Sequence, residues 1–305
     1  MSEATNILNN RSLESLITHK FAALSEVRLH YVDAGEGPMV MLLHGFPEFW
    51  YSWRYQIPAL VNAGYRVIAP DMRGFNLSDK PRGVRHYSLE AITRDVVELF
   101  EYLQQPRGVL AGHDWGGAVA WNMAIRHPEF LSQLIVLNAP HPARFLRALQ
   151  TWRQICKSSY MVAFQLPWLP EAVLRANHFA LLRDRLVRDL VHREQITQRD
   201  IDLYVQSWSQ RRALSSGLNY YRSPNTLLSW RSLPPVSVPT LLIWGMADRY
   251  LGAELAELNP SLVERFEVAL LPSGSHWIQQ DEPERVNQLI LKSLRPLNNT
   301  SNAGA

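Results

Sequence analysis

A chain of 305 residues can hold one large α/β domain with an inserted subdomain. Hydrophobic residues make up 47% and charged residues 19%, the balance of a soluble globular enzyme with a sizeable core. Lys and Arg number 31 against 28 Asp and Glu, a formal charge of +3, and no basic run exceeds short pairs such as Arg211-Arg212, which argues against nucleic-acid binding.

The single cysteine, Cys156, excludes an intrachain disulfide and is expected to be a small buried apolar residue. No apolar run approaches the ~20 residues of a membrane helix. Met1 to Ser12 lacks the basic-then-apolar order of a signal peptide. A soluble, cytoplasmic protein is expected.

Val27 to Val32 alternates and ends at Gly35, as one arm of a β-hairpin would. Met39 to Leu43 and Tyr65 to Ala69 are short apolar runs of the kind buried on both faces of a parallel sheet. The spacing of Leu89, Ile92, Val96, Leu99 and Leu103 predicts a helix from about Ser88 to Gln104, with Ser88 as its cap. Gly108 to Ala111 and Leu134 to Leu137 read as further buried strands. From about Pro140 to Ser229 the pattern turns helical, rich in Arg, Leu and Trp, with Pro167 and Pro170 as interruptions. Strands return at Thr240 to Trp244 and Val268 to Leu271, and a last helix follows Pro283. The tail from Asn298 to Ala305 is small and polar, the composition of a frayed end. The expected organisation is a core at 1–139 and 230–305, with a helical lid at 140–229 over the carboxyl ends of the strands, where open α/β sheets bind ligands.

Gly112-His113-Asp114-Trp115-Gly116-Gly117 follows a strand and precedes a helix, the setting of a nucleophile elbow with Asp in place of Ser. Taken alone, Asp114 can also be read as a helix cap. Two partners argue otherwise. Asp248 lies just past the strand Thr240 to Trp244, and His276 follows the last strand. Nucleophile, acid and histidine thus come in the order used by this kind of turn, each at a strand end. In His44-Gly45-Phe46-Pro47, the backbone N–H of Phe46 can pair with that of Trp115 as an oxyanion hole, while His44 reads as a structural brace.

With these motifs the sequence resembles the epoxide hydrolases of the α/β-hydrolase fold, from about Phe21 to Leu297. His44-Gly45-Phe46-Pro47-Glu48, Pro70-Asp71-Met72-Arg73-Gly74, the Asp114 motif and Ser275-His276-Trp277 carry the resemblance. It implies a mostly parallel central sheet flanked by helices, with an inserted helical cap. It also implies two lid tyrosines: Tyr221 in Asn219-Tyr220-Tyr221-Arg222, and Tyr160 ahead of Phe164-Gln165-Leu166-Pro167.

The implied chemistry suits the residue types. A carboxylate attacking a saturated epoxide carbon leaves an ester that water can cleave, whereas a serine would leave an ether. Asp114 would open the ring while Tyr160 and Tyr221 protonate its oxygen; His276, oriented by Asp248, would then activate water against the ester. Trp115, Phe164 and Trp277 point to an apolar pocket. No metal or organic cofactor is expected. The expected partner is a small-molecule epoxide rather than nucleic acid or a membrane, and a homodimer stays open. The competing readings are a haloalkane dehalogenase with the same Asp-His-Asp logic and a non-catalytic ligand-binding protein on this fold.

Overall fold

The computed structural model describes residues 13–223 and 233–294. The segment Met1 to Ser12, the end of the expected lid at 224–229 and the tail from Asn298 lie outside the described residues.

Eight strands form one sheet: β1 (Ile17–Ala23), β2 (Arg28–Ala34), β3 (Met39–Leu43), β4 (Arg66–Pro70), β5 (Gly108–His113), β6 (Leu131–Leu137), β7 (Thr240–Gly245) and β8 (Phe266–Leu271). Their order is β1-β2-β4-β3-β5-β6-β7-β8. β1 and β2 pair antiparallel, as do β2 and β4, and every pairing from β4 through β8 is parallel. The hairpin arm expected at Val27 is therefore β2. Its partner β1 was not legible, because ITHKFAA places exposed residues at most positions of an edge strand and shows no apolar alternation.

β3 shows why the centre of the sheet is apolar throughout. All five of its residues are buried. Met39, Met41 and Leu43 join the core on one face, and Val40 and Leu42 the core on the other. The helix Leu89–Tyr102 covers the first face with Leu89, Ile92, Val96 and Leu99, and the Ser88 side chain accepts from the Ala91 N–H, as its sequence predicts. The helix Pro283–Leu294 covers the second with Val286 and Ile290.

Between β6 and β7 the described residues form helices and turns and no strand: Pro142–Ala148, Trp152–Lys157, Ser159–Ala163, Leu169–Arg188, Gln198–Ser209 and Ala213–Arg222. The fourth is broken by non-helical backbone at Ala176–Phe179. Tyr220 donates to the Arg73 carbonyl at 2.8 Å, and Tyr87 to Ser216 Oγ at 2.8 Å, which seats the last of these helices on the loops beyond β4.

One expectation fails. Cys156 is exposed rather than buried. Its helix turns Gln154 inward, where it donates to the Tyr250 carbonyl and to Ser158, and a residue two positions further along faces the opposite way.

Because Leu42 is fully buried at the centre of the sheet, Leu42→Ala is expected to cost about 2–5 kcal/mol of unfolding free energy. Loss of the cap in Ser88→Ala is expected to cost only about 1 kcal/mol. Urea denaturation measures both; losses of equal size would contradict this account of the core.

Candidate active site

Asp114 occupies the turn between β5 and the helix Trp115–Arg126, with φ 52° and ψ −119°. A side chain in that conformation is strained and is held by its surroundings. The crowding is severe: a Cβ on Gly112 would lie 2.3 Å from the Gly116 carbonyl oxygen, and one on Gly116 would lie 2.2 Å from that of Leu43. The glycines of the motif are what allow the turn to pack against β3.

The Phe46 N–H donates to Asp114 Oδ1 at 2.8 Å. On the other side, His276 Nε2 stands 3.6 Å from Asp114 Oδ2, while His276 Nδ1 donates to Asp248 Oδ2 at 2.8 Å. The three residues predicted from strand ends are thus brought together. Burial alone would push the Asp114 carboxyl up. The nearby His276 imidazole outweighs burial, with help from the Phe46 N–H, and holds it below the usual carboxylate range. Asp248 is likewise held low against burial by His276 and by Asn138. Burial lowers the His276 imidazole, but Asp248 and then Asp114 reverse this and raise it to about 10.

Several residues of the site escaped the sequence. Asn138, just past β6, donates to Asp248 Oδ2 at 2.7 Å and accepts from the Gly245 N–H at 2.9 Å. The N–H groups of Tyr250 and Leu251 donate to Asp248 Oδ1 at 2.7 and 2.9 Å. Asp248 therefore enters the pair already oriented. Below Asp114, His113 bonds Glu48 Oε2 at 2.8 Å and the His276 carbonyl at 2.8 Å. This wholly buried link ties the His44–Glu48 loop to the histidine loop. His44 accepts from the Met72 N–H at 3.0 Å, a brace as expected.

Above the carboxylate sit the two tyrosines. Both line the same cavity as Asp114 and His276. Their rings lie 5.9 Å apart, edge to face. Tyr221 packs edge-on against Trp115 at 5.1 Å and Phe46 at 5.6 Å. Burial pushes both phenols up, and the nearby Asp114 charge adds to it, so both stay protonated at neutral pH. Arg222 fixes the end of the Tyr221 helix by paired bonds to Glu171 and by donating to the Phe164 carbonyl.

The cavity has two lobes that meet at Asp114, Tyr160, Tyr221 and His276. One, of about 340 Å³, runs past Ala118, Phe145, Met161 and Leu251. The other, of about 410 Å³, runs past Phe46, Phe164, Leu182 and Trp277. Phe164 packs on Tyr160 at 5.5 Å, and Trp277 on Tyr250 at 5.9 Å.

The raised imidazole depends in part on the Asp114 charge. Asp114→Asn is therefore expected to lower the His276 titration midpoint by about 1–3 pH units. Histidine-selective NMR titration measures it, and an unchanged midpoint would show that the two groups are not coupled.

The model of the α/β hydrolase fold family matches residues 38–283. Epoxide hydrolase 4 of Homo sapiens is 40% identical over 291 residues, covering 92% of this chain and 80% of its own. The AB hydrolase superfamily protein YfhM of Bacillus subtilis is 41% identical over 279 residues, covering 90% and 97%. The crystal structure of Bacillus megaterium epoxide hydrolase with an inhibitor superposes with a TM-score of 0.84 at 31% identity, covering 90% of this chain and 99% of that one. With its eight-stranded sheet, its helical insertion and these relatives, the chain belongs to the epoxide hydrolase family of the α/β-hydrolase fold.

Proposed function

We propose that this protein hydrolyses apolar epoxides to vicinal diols through an ester formed on Asp114. The observation that carries the reading is the placement of one carboxylate. Its Oδ1 takes the Phe46 N–H and its Oδ2 faces His276, beneath two protonated tyrosines. A serine enzyme's constellation is thus fitted with a nucleophile suited to saturated carbon.

With Oδ1 held by the Phe46 N–H, Oδ2 is the attacking oxygen. It displaces the ring oxygen from an epoxide carbon as Tyr160 and Tyr221 donate hydrogen bonds to that oxygen and a proton to the alkoxide. The Asp114 charge is spent in forming the ester. One of the influences that raised His276 disappears, and the imidazole moves toward its neutral form when a base is needed. His276 then takes a proton from water, which attacks the ester carbonyl. Negative charge develops on Oδ1, where the Phe46 N–H already points; the Trp115 N–H is proposed as the second donor. Asp248 holds the imidazole tautomer and balances its positive charge. As the Cγ–Oδ2 bond breaks, Oδ2 takes the proton from His276 and leaves in the diol, and the new Asp114 carboxyl gives up its proton, which restores the tyrosine.

The helices between β6 and β7 serve as the cap in this reading, with limits near residues 140–229. They supply Tyr160 and Tyr221, while the core supplies the Asp114, Asp248 and His276 side chains. In a haloalkane dehalogenase the Trp115 indole would be a halide donor. The two tyrosines that line the cavity beside Asp114 favour the epoxide instead.

His276→Gln separates the two half-reactions. The variant is expected to consume about one epoxide per site and stall, because an intermediate accumulates when its breakdown is blocked. Intact mass spectrometry should find an added mass equal to the whole epoxide, and peptide mapping should place it on Asp114. An adduct on another residue, or none, would overturn the covalent route. A haloalkane that left an alkyl adduct with release of halide, where the epoxide left none, would favour the dehalogenase.

A further inference from the structure

The helices between β6 and β7 also carry an outer surface that faces solvent. Of the fifteen large apolar side chains more than a third exposed among the described residues, eight fall within residues 152–181. Trp168, Trp152 and Val162 are 82%, 78% and 73% exposed. Val162 lies two positions after Tyr160 on the helix Ser159–Ala163, so it points outward where Tyr160 points in. Soluble proteins seldom leave such a concentration of apolar surface wet without a partner for it.

Charge accompanies it. Residues 144–188 contain eight basic and two acidic residues, a surplus of six in a chain whose whole surplus is three. The rest of the chain is therefore acidic on balance. Arg147 and Arg175 are exposed, and no ion pair among the described residues engages either. The second lobe of the cavity reaches the surface of the same helices at Cys156, Leu181 and Arg185, which line it and are exposed.

We propose that this face docks on the surface of an anionic lipid bilayer, with the cavity mouth at the interface. The combination of exposed tryptophan and aliphatic side chains with surplus Arg and Lys is that of a segment that lies on a charged membrane. Tryptophan favours the headgroup level. Among the described residues no helix is long and apolar enough to cross a membrane, so the contact is peripheral. A second copy of the chain fits the face less well, because a two-fold contact would bring both basic surpluses together. Docking also places the mouth where apolar epoxides concentrate, a consequence that rests on the proposed reaction; the docking itself does not.

Flotation of the full chain with lipid vesicles tests this without any measurement of activity. The protein is expected to float with vesicles of phosphatidylcholine and phosphatidylglycerol in equal amounts, to float poorly with phosphatidylcholine alone, and to be released by high salt. The paired change Trp152→Ser and Trp168→Ser keeps every charge and alters only exposed positions. It is expected to lower partitioning by at least about tenfold while leaving the thermal midpoint in place. Arg175→Glu is expected to lower it further, since each basic residue near such a surface contributes about fivefold. Failure to float with the mixed vesicles, or equal partitioning of the tryptophan variant and the native chain, overturns the proposal. So does a dimer in sedimentation that the tryptophan changes dissolve, which would assign the face to a second copy.

Discussion

The carboxylate of Asp114 is held at both ends, by the Phe46 N–H at 2.8 Å and by the His276 imidazole at 3.6 Å, and most of the surrounding structure serves that grip. The grip requires a residue at φ 52° in a turn too tight for side chains at Gly112 and Gly116. It requires the His44–Glu48 loop to lie beside the turn, and a Cβ on Gly45 would come within 2.4 Å of the Asp114 Cβ. It also requires the histidine loop at a fixed height, which the Glu48–His113 link to the His276 carbonyl supplies. Three loops from distant parts of the sequence converge because β3, β5 and β6 to β8 run parallel and end on one side.

The same geometry sets the charges. Two carboxylates and an imidazole share a buried site, and the pair held low and the one raised stabilise each other. In the proposed chemistry this balance changes during turnover. The free site keeps Asp114 ionised as a nucleophile, and the esterified site loses a charge that had kept the imidazole protonated. The tyrosines complete the division of labour. Burial under the helical insertion keeps them protonated beside a carboxylate, so in the proposed chemistry each presents an O–H to the ring oxygen.

Much of this was legible in the sequence, and for definite reasons. Strands buried on both faces, such as Met39–Leu43, are nearly pure apolar runs, and Asp114, Asp248 and His276 each follow one. The edge strand Ile17–Ala23 was not legible, because exposure on both faces removes the alternation that marks a strand. Asn138 and Glu48 were not singled out as functional groups, since a buried polar side chain carries no spacing signature and shows its purpose only when its partner is in place. The exposure of Cys156 has a related cause. Which way a residue of a short helix faces is set by its neighbours, here by the inward-turned Gln154. Tyr160 and Tyr221 are marked only by the family resemblance, because one tyrosine among 11 has nothing in its own surroundings to mark it.

The most direct test of the central claim follows an oxygen atom. In a single turnover with enzyme in excess, in water enriched in oxygen-18, the proposed route breaks the bond between Cγ of Asp114 and Oδ2. The diol should carry only unlabelled oxygen, and one label should appear in the Asp114 carboxylate, located by peptide mass spectrometry. Label in the diol after that first turnover, with Asp114 unlabelled, would mean that water attacks the epoxide directly and that Asp114 is not the nucleophile.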